Sequence, residues 1–159
     1  MMKQHLIKNL LLALFILPTV CLAQQQVDSN QVAIRAFYSS YAVIYQSPNF
    51  DDYYKKYSAL LDEYASSSFK QSILSGLDDP NIPPLDIATD DSGIQAQYLG
   101  NLKVEKRGAY YLVRYPIYDS DEKKYIEIGL KITLDYHGKI QSISGSYTKE
   151  INNPTELNK

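Results

Sequence analysis

KYIEIGLKITLDY, residues 124–136, decides how the rest of the chain is read. Ile126, Ile128, Leu130, Ile132 and Leu134 fall on alternate positions, with Tyr125, Glu127, Lys131, Thr133 and Asp135 between them. A period of two puts the first set on one side of a β-strand and the second on the other, as in an antiparallel strand with one buried face. His137-Gly138 then turns the chain into KIQSISGSYTK (139–149). On the upstream side DSDEKK (119–124) closes a hairpin with AYYLVRYPIY (109–118), where Pro116 predicts an edge position or a bulge. IQAQYLGNLKVEKR (94–107) reads as one more strand, irregular at Gly100 and ended by the turn Arg107-Gly108. Gly100, Gly129 and Gly145 are the expected bend points of the sheet.

Before these strands the period is helical. Ile34, Phe37, Tyr41 and Ile44 recur at spacings of three and four after an N-terminal signal, Asp28 as N-cap with Gln31 at N3. Ser47-Pro48-Asn49 stops that helix. DDYYKKYSALLDEYASSSFKQSIL (51–74) repeats the pattern through Tyr54, Tyr57, Leu61 and Tyr64, with Asp51 and Asp52 favourably placed in the first turn. Ser66, Ser67 and Ser68 should interrupt it before a last turn near Gly76. Two helices followed by about four antiparallel strands describe an α+β domain, in which the helices cover one face of a curved sheet.

The first 23 residues have the parts of a secretory signal peptide. Lys3 and Lys8 form a positive start, Leu10 to Leu17 an apolar run, and Ala23 a small residue before the expected cut. That run is shorter than the roughly 20 residues needed to span a bilayer. Lipidation at Cys21 is the other reading, but Val20 is bulky for the position before a lipidated cysteine. The expected layout is a signal peptide at 1–23, a polar leader at 24–30, one domain at 31–150 and a polar, fraying tail at 151–159. The expected compartment is the periplasm.

Cleavage after Ala23 would leave 14 basic against 18 acidic side chains, a net charge of −4, with no cysteine and with His137 as the only histidine. Thiol catalysis, cysteine-based metal sites and histidine-rich metal sites are thereby excluded. His137 itself lies in a turn. No phosphate-loop, dinucleotide or nucleophile-elbow pattern occurs, and no cofactor is expected. The acidic balance argues against nucleic acid and anionic membrane as partners, and the mature chain has no span-length apolar run.

LDDPNIPPLDIATDD (77–91) holds Asp78, Asp79, Asp86, Asp90 and Asp91 with three prolines and no basic residue. Such a stretch can dock a basic protein surface, cage calcium, or simply link helix to sheet. Its carboxylates, Asp86 and Asp90 foremost, are also what a carboxylate hydrolase acting on peptidoglycan would use. Tyrosine is the second excess, with fifteen residues, all after residue 23. Tyr110, Tyr115 and Tyr118 alternate along one strand, so some of them should face solvent or the concavity, where tyrosine makes a good contact residue.

With Phe37-Tyr38-x-x-Tyr41 opening the helices, aspartates in the connection and strands closing the chain, the order of elements resembles the α+β cone of nuclear-transport-factor-2-like and cystatin-like proteins. It is most similar to small exported bacterial families of unknown function. The resemblance covers nearly the whole mature chain, as a pattern of elements and not a signature motif. It implies a non-enzymatic exported binding protein, in its sharpest form an immunity-type protein that neutralises a peptidoglycan-directed toxin. Relatives with this cone also include small-ligand binders and enzymes, so the fold leaves those alternatives open.

Overall fold

The computed structural model describes residues 28–77, 88–90 and 93–158; the rest of the chain lies outside the description that follows. Helix α1 spans Ser29–Tyr45. Asp28 caps it, accepting hydrogen bonds from the backbone N–H groups of Asn30 (3.0 Å) and Gln31 (3.4 Å). The three-and-four spacing buries Ile34, Phe37, Tyr38, Tyr41 and Ala42 on one side. Helix α2, Phe50–Tyr64, begins at once, because Asn49 accepts from Asp51 N (2.9 Å) and Asp52 N (3.4 Å). The stretch expected to stop one helix therefore also starts the next.

The serine cluster does interrupt the second helical stretch, leaving a third helix, α3, at Ser67–Leu77. The cause lies in the sheet. Ser66 N donates to Ile140 O (2.8 Å), Ala65 bridges to Ile140, and Ser66 Oγ accepts from Phe69 N to start α3.

Four strands follow: β1 (Lys103–Arg107), β2 (Tyr110–Asp119), β3 (Lys124–Leu134) and β4 (Ile140–Ile151). They form an antiparallel meander in the order β1-β2-β3-β4, curved and unclosed. Register shifts at Gly129/Leu130 and Thr133/Leu134 leave Ser146 and Gln141 of β4 unmatched, and such bulges bend a strand. Gly129 and Gly145 flank the first of them, as expected of bend points.

The strand expected over 94–107 is only half present. Ala96–Asn101, Gly100 included, forms a 3-10 helix, and pairing starts at Lys103. Beside it, β2 has lost its β1 partner beyond Arg114, so Pro116 stands where no neighbouring strand is missing a donor. Gln95 takes the place of a strand there. Its side-chain amide donates to Tyr118 O (3.0 Å) and accepts from Tyr118 N (2.9 Å).

The core lies between the helices and one face of the sheet. Tyr111, Val113, Tyr115, Ile128, Leu130, Ile132, Ile140 and Ile143 meet the apolar side of α1 and α2. Aromatic rings fill the interior, with Tyr38 against Tyr115 at 6.2 Å and Tyr41 against Tyr57 at 5.1 Å between centroids. Tyr38 donates to Ala88 O (2.8 Å), which draws Ala88 and Thr89 into this core.

The end of the chain is more ordered than a fraying tail. Ile151 is buried, and Pro154–Asn158 forms a 3-10 helix packed on β2, β3 and the first 3-10 helix.

Candidate functional site

Alternation gives the sheet a second face, turned away from α1 and α2. On β2 it carries Tyr110, Leu112, Arg114, Pro116 and Tyr118; on β3, Tyr125, Glu127, Gly129, Lys131 and Thr133. The registers add Lys103, Glu105 and Arg107 from β1, and Tyr147 and Lys149 from β4. Five cations thus share the face with two carboxylates, although the whole chain has a net charge of −2.

Arg114 is the centre of this face. Its guanidinium donates to Glu105 on β1 and stands 3.7 Å from Glu127 on β3. Arg107 closes the Glu105 side at 2.5 Å. Glu127 is only 6% exposed and accepts a hydrogen bond from the Tyr147 hydroxyl. The Tyr147 ring lies against Gly129, its cross-strand partner. A Cβ at Gly129 would meet the ring at 2.5–2.8 Å, so glycine is what lets the ring cover the sheet and reach Glu127.

The charges respond to this packing. For Glu105, burial works against the ionised form, but the hydrogen bonds from Arg114 and Arg107 outweigh it and hold its carboxyl below the ordinary value. Burial likewise opposes the Arg114 charge, and its carboxylate partners more than restore it. Burial pushes the Tyr147 hydroxyl up to about 12, with its hydrogen bond to Glu127 adding to the rise. At neutral pH the tyrosine is therefore a fixed donor and not a nucleophile.

Around this network the face is open and aromatic. Lys131 lies over the Tyr110 ring, 4.9 Å from its centroid. Tyr118 packs on Tyr125 at 5.0 Å, and Tyr125 on Tyr98 at 5.8 Å. Tyr118 and Tyr147 are each exposed by more than a third.

The residues singled out in the sequence separate widely. Asp78, Asp79, Asp86 and Asp91 lie outside the described residues. Asp90 is exposed, in the left-handed region with φ of 51°, and its carboxylate lies against Gly145 where no side chain would fit. It borders a pocket of about 290 Å³ with Leu130, Ser146 and Thr148. Tyr110 and Tyr118 both sit on the outer face. Tyr115, expected among the contact residues, is 1% exposed and belongs to the core, because it shares strand parity with Tyr111 and Val113. Its role as a surface contact is corrected accordingly.

Arg114, Glu127 and Tyr147 were not anticipated. A charged residue inside each of two apolar strands was the available signal, but their partnership depends on cross-strand register. His137 is an exposed turn residue, as expected, its N–H donating to Asp135 Oδ1 (2.8 Å). Among the described residues there is no group of three metal-ligating side chains, and no helix is long and apolar enough to cross a membrane.

No family model matches the chain, and no curated protein does either. Among solved structures it is similar to a protein of unknown function from Bacteroides thetaiotaomicron VPI-5482, with a TM-score of 0.54 and 13% identity. The match covers 73% of this chain and 88% of the other. At that identity the likeness speaks for the fold alone.

Proposed function

We propose that this chain is a non-enzymatic binding protein, exported to the periplasm, that acts by engaging another protein. The observation that supports binding is the outer face of the sheet. The strands hold Tyr110, Tyr118 and Tyr147 on one face with Arg107 and Arg114, tyrosine and arginine being enriched at contact surfaces, and the strand pairing fixes where each of them stands. The titratable cluster on that face is locked in internal ion pairs and a proton-holding tyrosine, which suits support better than acid–base work.

In its sharpest form the reading is an immunity-type protein with a nuclear-transport-factor-2-like or cystatin-like cone, which blocks a peptidoglycan-directed toxin. The signal-like leader and the acidic stretch at 77–91, suited to a basic partner surface, support that form. Small-ligand carriage inside the cone is less well supported, since Tyr38, Tyr41 and Tyr115 occupy the interior themselves.

The test is affinity capture from a cell-envelope extract with the tagged protein as bait. A specific partner should be retained and released by salt. Tyr110→Ala with Tyr118→Ala should weaken retention if the sheet face docks, and Asp78→Asn, Asp79→Asn, Asp90→Asn and Asp91→Asn together if the acidic stretch does. Retention unaffected by both sets would sink the surface assignment, and no partner at all would sink the binding reading.

A further inference from the structure

A different surface, on the helical side, leads beyond that reading. Between α1 and α2 runs a groove of about 550 Å³ whose apolar lining includes Ile44, Ala59 and Leu60. Val43 lines it and is 68% exposed, the most exposed of the large aliphatic side chains among the described residues. Val32, 52% exposed, lies eleven residues earlier, three turns back on the same line of α1. A protruding valine beside an unfilled apolar groove leaves apolar surface in water at one place on an otherwise well-packed helix pair.

The charges at this groove have a symmetry. Lys56 marks one end and Glu63 the other, both on α2 and seven residues apart. Two turns separate them along one line, about 10 Å. A twofold axis perpendicular to α2, passing between them, would bring Lys56 of each copy opposite Glu63 of its mate. Val43 lines the same groove as both charges, so it lies on the surface that the operation brings together. Knob and hole, cation and anion thus occur on one surface in the arrangement an isologous contact requires. A partner carrying a single sign of charge would satisfy only one end.

We propose that two copies of this chain associate through the α1–α2 face, related by a twofold axis that pairs Lys56 with Glu63. Lys56 already bonds Asp52 at 2.6 Å, and its ammonium has two further protons to donate. The face measures about 25 Å by 20 Å from the helix lengths and packing distance. That is smaller than the roughly 800 Å² per partner of a standard interface, so the dimer is weak and forms in the micromolar range.

Sedimentation velocity on the protein purified from an expressing bacterium tests this, from about 5 to about 200 µM, the range in which so small an interface should dissociate. The wild type should pass from monomer to dimer. Lys56→Glu and Glu63→Lys should each weaken association by about tenfold or more, since each sets like charges face to face twice. An equal mixture of the two should dimerise again, as should the double variant, because both restore opposite charges. Val43→Asp should be monomeric, with circular dichroism and thermal melting confirming that it is folded. A wild type that stays monomeric throughout overturns the proposal. So do single charge variants that dimerise like the wild type, or a mixture that fails to recover; the former would place the contact on another face. Monomeric wild type that binds an added amphipathic helix would give the groove to a foreign partner instead.

Discussion

The two faces of the sheet are made by the same four strands, residue by residue in alternation, yet they are held in different ways. The inner face is aliphatic and aromatic, with Val113, Leu130 and Ile132 essentially sealed from water. Its stability comes from area removed from solvent, a quantity indifferent to the exact neighbour. The outer face depends on Arg114 meeting Glu105 and Glu127, and on Tyr147 lying over Gly129. Those contacts exist only at one register, and a slip of two residues, which would leave the inner face apolar, would abolish every one of them. The inner face thus supplies most of the stability, and the outer face discriminates between registers.

If so, truncation should cost most on the inner side. Leu130→Ala removes a side chain that is 1% exposed and leaves a cavity beneath α1 and α2. The expected loss is about 3–4 kcal/mol in denaturant unfolding, within the roughly 2–5 kcal/mol that buried leucines cost. A loss below about 1 kcal/mol would mean that the site collapses freely, and the contrast between faces would fail.

Arg114→Ala probes the outer face at its centre. It leaves Glu127 enclosed without its cation and frees Glu105 from its main partner. Breaking a fully buried pair costs about 3–5 kcal/mol. With Arg114 still 22% exposed, water relieves part of that, and about 2 kcal/mol is expected. Gly129→Ala should cost somewhat less, about 1–2 kcal/mol, because the Tyr147 ring must move aside for the new methyl. Combined with Tyr147→Ala, the glycine substitution should lose most of its cost. Additive losses in that cycle would show that ring and glycine are not coupled.

The same contrast explains which parts were legible in the sequence. The stripe of α1 and the inner face of β3 follow from burial periodicity, which Ile34, Phe37 and Tyr41 or Ile128, Leu130 and Ile132 display directly. Local turn chemistry was legible too: Asp135 accepts from His137 N and Lys139 N, and Gly138 has φ of 78°. Contacts between distant residues were not. Gln95 substituting for a strand at Tyr118, or Ile140 interrupting the helix at Ser66, is decided by elements 23 and 74 residues away. Tyr115 went astray for a smaller reason. Alternation defines two faces without saying which is buried, although the charge of its neighbour Arg114 pointed to the inner side. Of the aspartates in the acidic stretch only Asp90 is among the described residues, against Gly145 at the sheet's edge.

The smallest expected effects concern pH, and the outer face supplies one of each sign. The Tyr147 hydroxyl is raised from an ordinary value of 10.0 to about 12 in the folded chain. Its contribution to stability is therefore complete below pH 10 and is lost as pH rises from there through about 12. Glu105 works with the opposite sign. Its folded value lies below the ordinary 4.5, so its contribution is complete above that pH and is lost as the carboxyl is titrated beneath it. Tyr147→Phe should flatten the alkaline limb of a stability profile, and Glu105→Gln the acid limb, each leaving the other limb in place. Tyrosinate absorbance gives an independent reading. Tyr64 and Tyr125 also titrate above their ordinary value, and on the outer face Tyr147 is pushed furthest, to about 12. Removing it with Tyr147→Phe should take one tyrosinate out of the absorbance change above pH 10, and titration curves that superimpose there would separate Tyr147 from Glu127 and leave Arg114 to hold the outer face alone.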